Sequence, residues 1–221
     1  QIDYMVQDLT QDGNGNMWFT GNAATGVGGI QQFDGERWSG FNPYTYGLGQ
    51  DFPYQADSAS AIANRPSNNS IAFSPTYHGV HTWNGNNYTT IEDEMTTSKG
   101  LVEDSEGRLW NLGEYFSYRF YDDNTASWTT MPIVGWGSKI IKDPTLPGTV
   151  WAMTDNEIQR TNGIEVLSIN PGNFPGSAAS LTGLAVETNG TMWTGTWNPN
   201  TSAGSTLIKY NPENSQSTVW T

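Results

Sequence analysis

The sequence predicts an all-β domain, a five-bladed β-propeller of four-stranded antiparallel blades. Three observations carry that expectation. A pattern of apolar strand, acidic residue, tight turn and Trp-bearing strand recurs along the chain. A second tight turn follows every copy. No stretch holds a helical hydrophobic period, whereas short apolar runs bounded by Gly, Asn and Asp are frequent.

The first copy runs Val6-Gln7-Asp8-Leu9-Thr10-Gln11-Asp12-Gly13-Asn14-Gly15-Asn16-Met17-Trp18. Gly100-Leu101-Val102-Glu103-Asp104-Ser105-Glu106-Gly107-Arg108-Leu109-Trp110 repeats it, as does Gly183-Leu184-Ala185-Val186-Glu187-Thr188-Asn189-Gly190-Thr191-Met192-Trp193. Two weaker copies fill the gaps. Ile140-Ile141-Lys142-Asp143 leads through Pro147-Gly148-Thr149 to Val150-Trp151. Ala61-Ile62-Ala63-Asn64 leads through Asn68-Asn69-Ser70 to Ile71-Ala72-Phe73, with Ala72 in the place of the Trp.

The second turns are Phe33-Asp34-Gly35, Trp83-Asn84-Gly85, Tyr121-Asp122-Asp123, Thr161-Asn162-Gly163 and Tyr210-Asn211-Pro212. Gly, Asn and Asp tolerate the positive φ that hairpin turns require, so each copy reads as strands joined by hairpins. The expected blades are about 1–41, 58–91, 98–131, 137–169 and 181–221 within one domain spanning 1–221. One such blade cannot bury both faces alone, and radial packing of several solves that problem. Trp18, Trp110, Trp151 and Trp193 recur at one position and are expected to be equivalent, largely buried, inter-blade core.

The pattern apolar-x-x-acidic-x-x-Gly-x-apolar-Trp, followed in the first copy by Gly29-Ile30-Gln31-Gln32-Phe33-Asp34-Gly35, resembles the two-component-regulator propeller repeat. It is also similar to the repeats of streptogramin-lyase-like propellers. The resemblance covers nearly the whole chain, most clearly its first, third and fifth copies. It implies the fold and does not choose an activity, because propellers host sensors, lyases, lectins and scaffolds alike. Family members usually have more blades, a further reason why no activity is carried over.

Composition narrows the partners. With 22 acidic and 9 basic residues the net charge is −13, against binding a phosphate backbone, anionic lipid or anionic polysaccharide. No apolar run approaches the ~18 residues of a membrane-spanning helix. There are no cysteines, which excludes thiol chemistry and leaves the compartment open. Richness in Asn, Thr, Ser, Gly and aromatics, poverty in Lys and a start at Gln1 lead to the expectation of a secreted, extracellular or cell-surface chain whose signal peptide has been removed. Asn68, Asn87, Asn189 and Asn200 fit the glycosylation pattern, but a chain this rich in Asn, Ser and Thr yields about that many by chance.

Hairpin turns of the first-to-second and third-to-fourth strands share one end of each blade, and there the loops are minimal. Long insertions fall at the other end: 21–28, 195–205, 40–58 and 169–180. Enlarged loops are where binding usually sits. Tyr44, Tyr46, Phe52, Tyr54, Trp136, Phe174 and Trp197, with Phe41, decorate this end and are the candidate binding or interface residues.

Candidates for catalysis are few. His78 and His81 are three apart in a strand and its edge, on opposite faces, and make poor co-ligands for one metal. Glu92-Asp93-Glu94 could present two carboxylates but reads as a solvated bend. Asp12-Gly13-Asn14-Gly15-Asn16 has the look of a calcium loop yet lacks the sixth-position Gly and distal Glu of an EF-hand. Asp3, Asp8, Glu103 and Glu187 lie near first strands, where acids recur as part of the repeat. The expectation is therefore no catalytic residue, no cofactor and no metal, structural calcium being conceivable but not indicated.

The leading reading is a non-catalytic extracellular propeller acting as a structural or adhesive module, whose partner is a further copy of itself, another extracellular protein or a glycan. Self-assembly would run through 40–58 and 195–205 and through weakly defended outer strand edges. The rivals are a lectin-like carbohydrate-binding propeller and a lyase or glycoside hydrolase, for which two carboxylates would have to flank a cleft.

Overall fold

The computed structural model describes residues 4–23, 29–41, 59–75, 79–92, 97–114, 118–133, 135–170, 180–197 and 205–220. These residues form twenty strands in five four-stranded antiparallel sheets, with no helix among the described residues. The fold class is the five-bladed β-propeller. The first sheet is β1 (Tyr4–Gln11), β2 (Met17–Ala23), β3 (Gly29–Phe33) and β4 (Trp38–Phe41). The second is β5 (Ala59–Arg65), β6 (Ser70–Pro75), β7 (Val80–Trp83) and β8 (Tyr88–Glu92). The third is β9 (Ser98–Glu103), β10 (Leu109–Gly113), β11 (Tyr118–Asp122) and β12 (Ser127–Met131). The fourth is β13 (Gly137–Lys142), β14 (Val150–Thr154), β15 (Ile158–Thr161) and β16 (Val166–Ile169). The fifth is β17 (Ser180–Val186), β18 (Met192–Trp197), β19 (Ser205–Asn211) and β20 (Gln216–Trp220). Every sheet follows chain order, and the chain divides into two compact units, Gln1–Glu103 and Asp104–Thr221.

The first hairpin of four of the sheets is built the same way. Thr10 lies opposite Trp18, Ile141 opposite Trp151 and Ala185 opposite Trp193. Two residues past each of these partners stands an acid: Asp12, Asp143 or Glu187, with Asp104 in the third sheet. One oxygen of Asp12 accepts the backbone N–H groups of Asn14 and Asn16, and the other accepts the Trp18 indole N–H at 2.8 Å. Asp104 accepts from the backbone of Glu106 and Arg108 and from Trp110 Nε1 at 2.7 Å. The fourth sheet has two more residues in this turn, yet Asp143 still accepts from the Thr145 and Leu146 backbones and from Trp151 Nε1 at 2.7 Å. In the fifth, Glu187 takes the Trp193 indole at 2.6 Å while Asn189 Oδ1 accepts the Thr191 backbone N–H.

The turn geometry selects its glycines. Gly15, Gly107 and Gly190 sit at φ +86°, +83° and +84°, a region that costs an ordinary side chain energy. A register shift also recurs in the first strand, between Val6 and Asp8, Ala59 and Ala61, Gly137 and Lys139, and Leu181 and Gly183. Such a bulge bends a strand and increases its twist.

The second sheet departs from the pattern by a paired exchange. Ala72 occupies the Trp position, opposite Ala63, and Arg65 stands two residues on, where the others carry the acid. Arg65 is fully buried and its Nε donates to Glu103 at 3.1 Å; Glu103 also accepts from the Ser67 backbone and hydroxyl. The loss of the indole donor is matched by loss of the carboxylate acceptor, and the guanidinium finds its counter-charge on β9.

Sheets pack Trp-bearing face against the opposite face of the next. In the first unit Trp18 and Ile30 meet Ile62, Ile71, Phe73 and Trp83. In the second, Trp151, Met153, Ile158 and Ile169 meet Leu181, Leu184, Met192 and Ile208. The close approach of β10 and β13 requires Gly137, where a Cβ would lie 2.4 Å from the Gly113 carbonyl. Trp18, Trp110 and Trp151 are buried, but Trp193 is only half-buried, contrary to expectation.

Two consequences can be measured. Trp110→Phe removes an indole donor from a buried carboxylate and is expected to lower stability by ~1–3 kcal/mol in urea unfolding. Trp193→Phe, at a half-solvated site, is expected to cost clearly less.

Candidate functional site

The acidic residues that could serve chemistry are occupied in closing turns and joining sheets. Burial by itself would raise the Asp12 carboxyl, but the hydrogen bonds from Trp18, Asn16 and Asn14 outweigh it and hold it below the ordinary carboxylate value. Glu187 is likewise lowered, by its bonds from Trp193 and Lys209. Asp8 accepts the backbone N–H of Leu9 and, across the sheets, that of Ile62 at 3.0 Å. Glu103 is not one of the recurring first-strand acids after all; the repeating acid is its neighbour Asp104, and Glu103 instead neutralises Arg65. Asp3 lies outside the described residues.

His81 is buried, stacked on Phe73 at 5.7 Å between ring centroids, with Nδ1 3.1 Å from the Thr90 hydroxyl. His78 lies outside the described residues, as do Asp93 and Glu94. No group of three or more His, Cys, Asp or Glu could hold a metal ion among the described residues.

What the molecule presents instead is apolar sheet surface. Along β18 to β20, Trp193 lies opposite Lys209, Leu207 opposite Trp220, and Trp197 opposite Ser205, so alternation puts these side chains on one face. Trp193 and Trp220 stack at 5.4 Å with planes 13° apart, and Lys209 Nζ sits 4.9 Å from the Trp193 ring centroid. Leu207 is 47% exposed, whereas Ile30, Val80, Tyr118 and Ile158, at the same place in the other sheets, are at most 1% exposed.

The first sheet mirrors this on its opposite face. Leu9, Phe19, Phe33 and Trp38 share that face, with Trp38 5.2 Å from Phe19 and 5.0 Å from Phe33. Leu9 is 52% exposed, against 2–9% for its counterparts Ile62, Leu101, Ile140 and Leu184. Leu9 and Leu207, whose counterparts are buried in the other sheets, are thus half-exposed in the first and fifth.

Of the aromatic candidates from the sequence, Trp197 ends β18 on the exposed face of the fifth sheet. Trp136 is also exposed, its backbone N–H donating to Asp155 Oδ1 at 2.8 Å just before β13. Tyr44, Tyr46, Phe52, Tyr54 and Phe174 lie outside the described residues. Asn68, Asn87 and Asn189 occupy exposed turns, and Asn200 lies outside the described residues. Leu9, Trp38, Leu207 and Trp220 were missed by sequence reasoning. Their signal was positional: Leu9, Leu207 and Trp220 stand at places of the repeat that other sheets fill with buried residues.

The sequence matches no protein-family model and none of the curated proteins. Solved structures match it in fold. Virginiamycin B lyase from Staphylococcus aureus aligns at TM-score 0.74 and 16% identity, over 100% of this chain and 71% of its own. The extracellular domain of a hybrid two-component system from B. thetaiotaomicron aligns at TM-score 0.68 and 16% identity, over 96% of this chain. PorZ, a bacterial surface component of the type-IX secretion system of Porphyromonas gingivalis, aligns at TM-score 0.67 and 15% identity, over 98% of this chain. The chain spans 29% of the length of the two-component protein's domain and 34% of PorZ. Both groups whose repeat the sequence resembles thus share its fold.

Acid should act on the turn carboxylates. A carboxyl lowered in the folded state contributes stability above its unfolded value and loses it as pH falls through the folded value. Below pH ~4, therefore, stability is expected to fall more steeply in the parent than in Asp12→Asn or Glu187→Gln, as read by urea midpoints across pH. Arg65→Met would strand Glu103 and is expected to cost ~3–5 kcal/mol by the same method.

Proposed function

We propose that this chain is a non-catalytic extracellular propeller that acts through its surfaces as a structural or adhesive module, and that its partner is a second copy of itself. The observation that supports this reading is the pair of exposed faces. The Trp193, Leu207 and Trp220 face of the fifth sheet is of the kind that each preceding sheet turns toward its successor. The Leu9, Phe19 and Trp38 face of the first sheet is of the kind that each following sheet turns toward its predecessor. The fifth sheet of one copy therefore suits the first sheet of the next. A contact between unlike faces is heterologous and propagates into rings or filaments.

The extracellular setting is supported by likeness to an extracellular domain and a bacterial surface component, together with the outward-leaning composition. The engagement of Asp12, Asp104, Asp143 and Glu187 in turn and indole hydrogen bonds supports a structural role for the recurring acids. The insertions 40–58 and 195–205, which could add to the copy-to-copy contact, lie largely outside the described residues.

Light scattering after size exclusion, with negative-stain microscopy, tests the proposal. The expected result is species well above the 24.3 kDa of one chain, growing with protein concentration. Leu207→Glu is expected to weaken association at least tenfold while leaving the β-sheet circular dichroism unchanged. A parent protein that stays at one chain's mass at every concentration overturns self-association.

A further inference from the structure

The hairpin end of the first unit holds a cleft of about 320 Å³ between the turns of the first and second sheets. That is the low end of the ~300–1,000 Å³ range of small-molecule sites. One wall is the first turn of the first sheet, with Asp12, Asn14 and Asn16, backed by Trp18 and Gln32. The other is the second sheet's pair of turns, with Asn64, Asn69, Trp83 and Asn84.

The repeat shows why this space is open. Counting four residues from the turn acid, Asn16 corresponds to Arg108 of the third sheet. Arg108 donates to the carbonyls of Gly148 at 2.5 Å and Asn162 at 3.0 Å, the fourth sheet's counterparts of Asn69 and Asn84. Its guanidinium lies 5.5 Å from the Trp110 ring and 5.0 Å from that of Phe120, the counterparts of Trp18 and Gln32. In the second unit an arginine fills this position and ties the sheets together. In the first unit a short amide stands there, and the space is left empty.

The chemistry of the lining is specific. Asp12 is its one charged group, and both carboxylate oxygens are already directed at four N–H donors. No Lys or Arg lines the cleft, so nothing there compensates an anion, and no carboxylate is available for a cation. Among the described residues, the side-chain amides of Asn14, Gln32, Asn64 and Asn69 meet no hydrogen-bond partner, and Asn84 uses only its Oδ1, on the N–H groups of Asn86 and Asn87. Each amide offers a donor pair beside an acceptor, and hydroxyl groups of a sugar both donate and accept. Edges of two indoles complete the lining with apolar surface.

We propose that this cleft is a binding subsite for a neutral glycan, held by the amides of Asn14, Gln32, Asn64 and Asn69 and the amide N–H groups of Asn84 against Trp18 and Trp83. The site is independent of the copy-to-copy contact, which uses sheet faces rather than turns. Cellobiose, maltose and N,N′-diacetylchitobiose serve as probes in nuclear magnetic resonance titrations of the labelled full chain. At least one is expected to give saturable shifts confined to the Asn14, Asn69 and Asn84 amides and the Trp18 indole, with Kd of order 1 mM. Asn16→Arg, which places at this turn the residue type of Arg108, is expected to fill the cleft, weaken binding more than tenfold and leave the urea midpoint equal or higher. Asn14→Ala, in an exposed turn, is expected to weaken binding several-fold and does not depend on how the arginine packs. The proposal is overturned if no probe gives saturable shifts at these residues, or if binding survives both substitutions undiminished.

Discussion

The structure depends on one interaction, the hydrogen bond from an indole N–H to the carboxylate that closes the preceding turn. A buried indole carries a donor that must be satisfied, and a carboxylate brought beneath a sheet needs donors in return. In four of the sheets each meets the need of the other at 2.6–2.8 Å. The bond couples levels that otherwise vary independently. The carboxylate fixes the turn through backbone N–H groups, the turn fixes the hairpin register, and the register presents the ring to the next sheet. Asp143 preserves the arrangement across a longer turn, so it is the donor–acceptor pair rather than the loop length that is retained.

Departures from that unit are where the molecule acquires its individual features. Removing only the indole would have left a buried carboxylate short of a donor, a loss of several kcal/mol in a low-dielectric setting. The second sheet changes both members, and Arg65 joins the second sheet to β9 by a buried charge pair. Arginine at 108 joins the third and fourth sheets through carbonyls, and Arg160 reaches Glu213 at 3.0 Å between the fourth and fifth. The first and second sheets have no such tie at the equivalent place, since Asn16 is too short to span it. Three of the nine cations, Arg65, Arg108 and Arg160, thus join neighbouring sheets.

Much of this was legible in the sequence, and the rest was hidden for definite reasons. The spacing from acid to Trp is six residues in three copies, enough to find the blades and to mark the Trp rings as core. That the two groups bond is a fact of rotamers, which spacing does not reveal. In the fourth copy the spacing is eight, so the same bond looked like a weak match. The partner of Arg65 lies 38 residues away, and Glu103 was misread as a repeat acid because it adjoins the true one. Half-burial of Trp193 was invisible for another reason: the fifth copy has the same residue types as the buried ones, and exposure depends on what lies beyond it.

That last point bears on assembly. The first and fifth sheets each carry apolar residues on a partly exposed face: Leu9, Phe19 and Trp38 on one, Trp193, Leu207 and Trp220 on the other. Fully burying such a side chain is worth ~1.5–3 kcal/mol, and with these about half exposed roughly half of that remains to be gained from each, a drive toward contact. Opposing it is a net charge of −13, which repels like copies at a distance. The two forces differ in range. Repulsion between exposed charges fades beyond a Debye length of ~8 Å at physiological salt, whereas apolar burial acts at contact and is not screened. On the proposed reading charge governs how often copies meet and the sheet faces govern whether they stay, so association of this acidic chain is expected to be stronger in salt than in dilute buffer.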